Sequence, residues 1–297
     1  MIANSLGIMA PILIAALGGL ISERAGVLNI SLEGLMLTGA FASVVVTAAS
    51  GSIVLGLLAG VLAGAFLAFM FSIISIDFGS NIFITGLGIN LLAAGGIPFI
   101  SNQMFGTKGV LRFADIALLP RVVFPFDFRI PLLHDLLFGH QIGVYIGIAL
   151  TALVWLGLYR TSFGLRIRSV GANPEALRLR GLSPERYRRI AIILSGIGAG
   201  LGGGLLALRL GVYLPNITSG RGWIALVAIF LGYRRPVGVL IAAFVFAFAE
   251  TVSMAAQGIV AVPNTVLLSL PYILTVIAMV VYSAARAGGN RRARSPR

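Results

Sequence analysis

Long apolar runs, broken at intervals by short polar clusters, set the plan of this chain. Met1–Ser22, Gly34–Ile76, Phe78–Thr107, Gln141–Tyr159, Ile190–Leu208 and Thr251–Ala285 carry no formal charge. A helix crossing the hydrocarbon of a membrane needs about 20 such residues, so the longer runs hold more than one crossing. Turn-forming clusters divide them. The first predicted span, Asn4–Ile21, ends at Ser22-Glu23-Arg24-Ala25-Gly26; the second runs from Val27 to Ala49 and breaks at Ser50-Gly51-Ser52. The third, Ile53–Ile76, ends at Asp77-Phe78-Gly79-Ser80-Asn81, and the fourth covers Ile82–Ile100. Ile142–Tyr159, Ile190–Leu208, Val237–Gln257 and Val266–Ser283 read as further spans, the last two separated by Val262-Pro263-Asn264. Trp223–Leu231 is too short to cross alone at a rise of about 1.5 Å per residue, so it is either extended by its flanks or a broken helix. The pattern predicts an all-α, polytopic transmembrane helix bundle of about eight or nine crossings in a single domain over 1–297.

Between the fourth and fifth spans lie residues 101–141, where Lys108, Arg112, Arg121 and Arg129 mix with Asp115, Asp127 and Asp135 and with Pro120, Pro125 and Pro131. Mixed charge and repeated proline predict an irregular loop on the outer side. Two glycine ladders, Gly56, Gly60, Gly64 and Gly196, Gly200, Gly204, each fall on one helix face. They suit close helix packing, within the bundle or between subunits. Gly26–Leu37 and Gly222–Gly232 form a weak internal echo, both flanked by glycine and leading into a span.

Composition agrees with the pattern. Of 297 residues 58% are hydrophobic and only 10% charged, against about 25% charged in an ordinary soluble domain. The net charge of +13 would suit nucleic acid, but its placement argues for topology instead. Eight arginines lie between Arg160 and Arg189, two at Arg234 and Arg235, and five in the tail (Arg286, Arg291, Arg292, Arg294, Arg297). Such clusters beside apolar spans mark the cytoplasmic face. Residues 160–189 and the basic tail 284–297 are therefore placed inside, in a multi-pass protein of the cell membrane with a cytoplasmic C-terminus. An odd number of crossings would then put the N-terminus outside. Membrane lipids are expected partners, with anionic headgroups at the tail; nucleic acid is not. The absence of cysteine excludes disulfides and thiolate chemistry. Ile2–Ile21 lacks a basic leader and a small-residue cleavage site, so it reads as a retained helix.

The arginine segment carries helix signals of its own. Asn173 followed by Pro174 matches an N-cap with proline at the first helical position. Glu175 suits the positive end of the helix dipole and Arg178 and Arg180 the negative end; Gly181 supplies a stop. The prediction is a two-turn helix, Pro174–Arg180, followed by a second start at Ser183-Pro184-Glu185 that leads into a span. An ordinary charged connector would be shorter and would not carry its own capped helix.

Phe163-Gly164-Leu165-Arg166-Ile167-Arg168-Ser169-Val170-Gly171-Ala172-Asn173-Pro174-Glu175-Ala176, with Gly181 beyond, resembles the cytoplasmic coupling loop of ABC importer permeases. The branch it is most similar to serves nucleosides and simple sugars and is related to the ribose and branched-chain amino acid permeases. Ser22-Glu23-Arg24-Ala25-Gly26-Val27-Leu28-Asn29-Ile30-Ser31-Leu32-Glu33-Gly34 resembles the N-terminal signature of that branch, and Gly86-Leu87-Gly88-Ile89-Asn90-Leu91-Leu92 its central asparagine helix. Ser219-Gly220-Arg221-Gly222, Leu231-Gly232 with Arg235-Pro236-Val237-Gly238, and Leu270-Pro271-Tyr272-Ile273-Leu274-Thr275 extend the likeness. The resemblance implies a permease subunit that pairs with a second, homologous permease, usually as a heterodimer. It also implies two cytoplasmic ATPase subunits docked on the coupling loops and an extracytoplasmic substrate-binding lipoprotein. Gly171, Asn173, Pro174, Glu175, Ala176, Arg178 and Gly181 would then form the ATPase-coupling site.

The chain has no phosphate-binding loop of its own. Its one lysine, Lys108, stands in Gly106-Thr107-Lys108-Gly109, outside the glycine-lysine-serine/threonine pattern that cradles phosphate. No catalytic or metal site and no bound cofactor is expected, and ATP would be used by partner subunits. His134 and His140 with Asp135 are too few fixed ligands for a metal.

Candidate pathway residues are the polar groups inside the spans. An acidic residue at mid-membrane costs about 2.5–3.5 kcal/mol, so Glu33 and Glu250 should face the bundle interior or water. Glu33 reads equally as a structural helix-terminus group, and Glu250 as a group near the outer boundary. Asn29, Asn90 and Gln257 offer paired donors and acceptors that suit sugar hydroxyls or base edges; the two asparagines could equally bond neighbouring helices. The leading function is the permease half of an ATP-driven importer of nucleosides or simple sugars, working by alternating access. The alternatives are a branched-chain amino acid or ribose permease of the same fold, or an ion-coupled secondary transporter.

Overall fold

A computed structural model describes residues 1–113, 116–122 and 138–257, together with Ile273. Within these residues seven helices are long and apolar enough to cross a membrane. They are α1 (Ile2–Arg24), α2 (Leu32–Ser50), α3 (Ile53–Ser72, prolonged to Asp77 by a π-helical turn), α4 (Ile82–Phe105), α5 (Ile142–Arg160), α8 (Pro184–Leu210) and α10 (Pro236–Ala256). Between α5 and α8 lie α6 (Ser162–Ala172) and α7 (Pro174–Arg178); α9 (Arg221–Leu231) is the short apolar helix. Two-residue strands β1 (Leu111–Arg112) and β2 (Val212–Tyr213) pair antiparallel, Leu111 opposite Tyr213. The predicted span Val266–Ser283, the turn before it and the basic tail lie outside the described residues, as do His134 and most of the centre of the 101–141 loop. The protein is a polytopic helical membrane protein.

The elements end where their residues dictate. Ser52 and Asn81 cap α3 and α4 by accepting the amides of Leu55 and of Phe83 and Ile84. Gly51, Gly106 and Gly211 close α2, α4 and α8 in the left-handed conformation that needs no Cβ. The second helix starts at Leu32 and not at the predicted Val27. Gly26 turns left-handed, and the side-chain Oδ1 of Asn29 accepts the Ser31 amide at 3.0 Å, so residues 25–31 run as irregular chain. Irregular backbone at membrane depth survives only where protein covers it. Here Asn90 of α4 does so, accepting the Gly34 amide at 2.7 Å and donating to the Ile30 carbonyl at 3.0 Å.

Helix α8 runs through the middle of the bundle against α1, α2 and α3. Both glycine ladders lie in the contacts among α2, α3 and α8, so they serve packing within the bundle. A Cβ on Gly200 would stand 2.3 Å from the Gly60 carbonyl oxygen, one on Gly196 2.4 Å from that of Gly64, and one on Gly203 1.9 Å from that of Met36. On the α1 side Gly18 and Gly198 meet backbone to backbone. By contrast α3 and α4 expose apolar faces (Leu58, Leu62, Phe66; Leu87, Leu91) of the kind that lipid or another subunit covers.

The bundle has two distinct ends. At the arginine-rich end the termini of α1, α3, α5 and α8 gather. Arg24 donates to the Tyr159 hydroxyl at 3.0 Å and to the Arg234 carbonyl at 2.8 Å, Arg234 pairs with Glu23 at 2.7 Å, and Arg189 pairs with Asp77. At the opposite end β1 and β2 pair, and Arg209 of α8 packs its guanidinium on Gly7 of α1. Helix α9, about 16 Å long at 1.5 Å per residue, reaches through only half of a hydrocarbon core of about 30 Å.

The close approach can be tested directly. Gly200→Ala should destabilise the protein by about 1–3 kcal/mol, as over-packing does. Gly88→Ala, whose Cβ would meet nothing within 4 Å, should be neutral or slightly stabilising. Thermal unfolding in detergent separates the two, and equal midpoints would refute the packing role of the ladder.

Candidate functional site

Two polar constellations stand out from the apolar bundle, one at its arginine-rich end and one within it. The first is built by α6 and α7. Thr161 caps α6 by accepting the Gly164 amide at 3.1 Å. Gly164 makes the elbow from α5 possible, since a Cβ there would lie 2.1 Å from the Gly157 carbonyl oxygen. Gly164, Ile167 and Val170, at spacings of three, turn one face of α6 into the core while its arginines stay outside. Arg166 donates to the Tyr187 hydroxyl of α8 at 2.9 Å, and Arg168 stacks on Tyr159 at 5.0 Å.

Helix α7 follows after one residue. Asn173 accepts the Ala176 amide at 3.2 Å, Pro174 takes the first position and Glu175 the first turn. The end is a Schellman motif. The Leu182 amide donates to the Leu177 carbonyl at 3.2 Å, the Gly181 amide to that of Arg178 at 2.9 Å, and Gly181 has a φ of +73°. The helix therefore closes two residues earlier than Arg180, within the usual uncertainty of a frayed terminus. Leu177 is buried and anchors the unit. Arg178 bonds Glu185 of α8 and lies 3.5 Å from Glu175; these carboxylates, Glu185 foremost, hold its guanidinium above the ordinary arginine range. Leu179, 83% exposed, projects from the turn as an uncovered apolar group.

Gly171 ties this unit to the membrane helices. A Cβ on it would lie 2.2 Å from the Arg24 carbonyl oxygen, and its α-carbon is the nearest neighbour of Gly26. The end of α6 thus rests backbone to backbone on the bend between α1 and α2.

The second constellation centres on Glu33, in the first turn of α2. Its carboxylate accepts the Thr218 hydroxyl at 2.6 Å and the Gly220 and Gly222 amides at 2.9 and 2.7 Å. Those amides belong to the start of α9, so one carboxylate lies at the N-termini of two helices, where each dipole favours negative charge. The two starts cross so tightly that a Cβ on Gly222 would stand 2.4 Å from the Glu33 amide nitrogen. They are the two halves of the internal echo. Next to them Arg221 pairs with Glu250 of α10, both largely buried, and also donates to the Ile217 and Thr218 carbonyls at 3.3 and 3.4 Å.

The other expected residues fall around this junction or away from it. Asn29 is 1% exposed, donates to Ser195 of α8 at 2.6 Å and accepts from Ser31. Asn90, as above, holds the irregular chain before α2. Gln257 is half-buried at the end of α10, away from Glu33 in sequence and outside its hydrogen-bond set. Three features were not foreseen: the amphipathic α6, the Glu23–Arg234–Arg24–Tyr159 cluster, and the pairing of Glu250 with Arg221. The apolar spacing of Gly164, Ile167 and Val170 was the available signal for α6. The two pairings join residues far apart in the chain and leave no local trace.

Residues 1–282 match the family model described as "Branched-chain amino acid transport system / permease component". The guanosine ABC transporter permease protein NupQ of Bacillus subtilis is 37% identical over 91% of this chain and 88% of its own length. The nucleoside ABC transporter permease protein NupC of Lactococcus lactis is 30% identical over 95% of this chain and 91% of its own. Among solved structures, a metal-chelate type ABC transporter in an inward-facing conformation shares the fold. Its TM-score is 0.50 at 12% identity, covering 94% of this chain and 85% of that one.

The Glu33 junction yields its own prediction. Glu33→Gln keeps the shape but removes the charge and one acceptor oxygen, which should cost about 1.5–3 kcal/mol, as for hydrogen bonds to charged groups. Thr218→Val, which removes one donor, should cost less. A Glu33→Gln protein that unfolds at the wild-type temperature would show that the carboxylate does not hold α9.

Proposed function

The chain belongs to the family of branched-chain amino acid transport system permease components, and we propose that it carries nucleosides as one half of the pathway of an ATP-driven importer. It is a transport subunit of an ABC importer, not an enzyme. The substrate class is inferred from the guanosine and nucleoside permeases to which it is similar over nearly its whole length. Simple sugars and branched-chain amino acids are the competing cargoes.

The observation that carries the mechanism is the chain of contact from α7 to the membrane helices. A two-capped helix with an exposed Leu179 and an exposed Glu175 is locked to α8 through Arg178 and Glu185 and to the α1–α2 bend through Gly171. We assign α7, with Gly171, Asn173, Pro174, Glu175, Ala176, Arg178 and Gly181, as the surface on which a cytoplasmic ATPase subunit docks. In this reading residues 160–189 and the tail 284–297 face the cytoplasm and residues 101–141 the outer side. Closure of the ATPases would push α7, and the push would reach α2 and the Glu33 junction as a rigid displacement, switching access from one side to the other.

Glu33 and Glu250 border the pathway in this reading, with Gln257 towards its outer mouth. Asn29 and Asn90, whose amides are engaged inside the bundle, keep the junction in register. The uncovered face of α4 suits a second, homologous permease that completes the pathway, and the outer end suits a substrate-binding lipoprotein. ATP is consumed by the partner subunits.

Reconstitution with the companion permease, ATPase and binding protein should give ATP-dependent uptake of labelled nucleosides in preference to ribose and leucine. Uptake of leucine alone overturns the substrate class, and uptake without the ATPase overturns the ABC mechanism. Within that system Gly181→Pro forces φ from +73° to about −65°, and Glu175→Arg reverses an exposed charge. Each should lower substrate-stimulated ATP hydrolysis by an order of magnitude or more while the protein still inserts; unchanged coupling in both removes the docking role.

A further inference from the structure

A recess of about 400 Å³ opens between α5 and α10 at the arginine-rich end, walled by Trp155, Tyr159, Arg235, Pro236 and Val237. That volume falls within the range of about 300–1,000 Å³ usual for small-molecule sites. Arg160 stacks on the Trp155 ring at 5.6 Å, and Trp155 and Tyr159 lie with ring centroids 6.4 Å apart. Both Arg160 and Arg235 are exposed, and neither is paired with a carboxylate among the described residues. Among the described residues no acidic side chain lines the recess. It therefore presents the uncompensated guanidinium of Arg235 beside two aromatic rings, with that of Arg160 stacked on its Trp155 wall.

Above the recess an apolar track continues along both walls. Ile148 and Ala152 of α5, on the face that carries Trp155 and Tyr159, and Val237, Ile241 and Val245 of α10 are exposed, the last three at spacings of four on one helix face. Tryptophan and tyrosine favour the depth of the lipid headgroups, and arginine recognises phosphate by paired hydrogen bonds. Free anions have no use for the track; a lipid uses both.

We propose that this recess is a binding site for an anionic phospholipid, with the headgroup phosphate held by Arg160 and Arg235 and an acyl chain lying along α5 and α10. The site has a route to the moving parts, because Tyr159 in its wall accepts a hydrogen bond from Arg24 and carries the stacked Arg168 of α6.

The chain has only two tryptophans, which makes the recess readable. The full chain carrying Trp223→Phe leaves Trp155 as the sole tryptophan, and it is reconstituted in phosphatidylcholine vesicles. Increasing fractions of brominated phosphatidylglycerol or brominated phosphatidylcholine are then compared as quenchers. Phosphatidylglycerol should quench Trp155 at a several-fold lower mole fraction, and Arg160→Gln with Arg235→Gln should erase that preference without loss of folded protein. Equal quenching by the two lipids overturns the site, as does a preference that survives loss of both arginines. Recovery of fluorescence on adding inorganic phosphate alone overturns the lipid assignment in favour of a free anion. Should Trp223→Phe disturb the fold, Trp155→Phe in the natural sequence gives the same reading, as loss of the lipid-selective part of the quenching.

Discussion

In water, burial of apolar surface drives helices together; in a bilayer the lipid is as apolar as the helices, and that drive is missing. What remains is contact, and contact strengthens as backbones approach. Helix α8 reaches that limit on three sides at once, because Gly196, Gly200 and Gly203 present no Cβ to α2 and α3 and Gly198 none to α1. At 27 residues, about 40 Å at 1.5 Å per residue, α8 is long enough to join the two ends of the molecule. The position of α7 at one end and of β2 at the other both follow from where this helix is seated.

The same close packing allows irregular chain inside the membrane. Residues 25–31 and 214–220 are not helical, and hydrocarbon offers their peptide groups no partners. Side chains supply them: Asn29 and Asn90 before α2, Glu33, Arg221 and Ser219 before α9. Polar groups that would suggest a substrate cage are here largely committed to the protein's own backbone. This arrangement fits a permease that passes cargo on without gripping it.

How much was legible in the sequence follows from the range of the forces involved. The seven spanning helices and the ends of α7 could be read because they depend on neighbours: a run of apolar residues, Asn173 before Pro174, Gly181 after Arg180. The start of α2 was misplaced by five residues because Val27, Leu28 and Ile30 look like span, and only the distant Asn90 and Ser195 show why they bend. Glu33 was recognised as unusual, but its partners Thr218, Gly220 and Gly222 lie some 185 residues away. Helix α6 was hidden by its own arginines, whose charge drew notice away from the apolar spacing beneath them.

The meeting of Gly26 and Gly171 has a mechanical meaning. Where side chains touch, a rotamer change can absorb about an ångström of movement, and the joint has play. Two main chains in contact have no rotamers to spend. The bend between α1 and α2 and the end of α6 therefore form a joint with almost no backlash, in which small displacements are delivered whole, like a keyed shaft and unlike a belt.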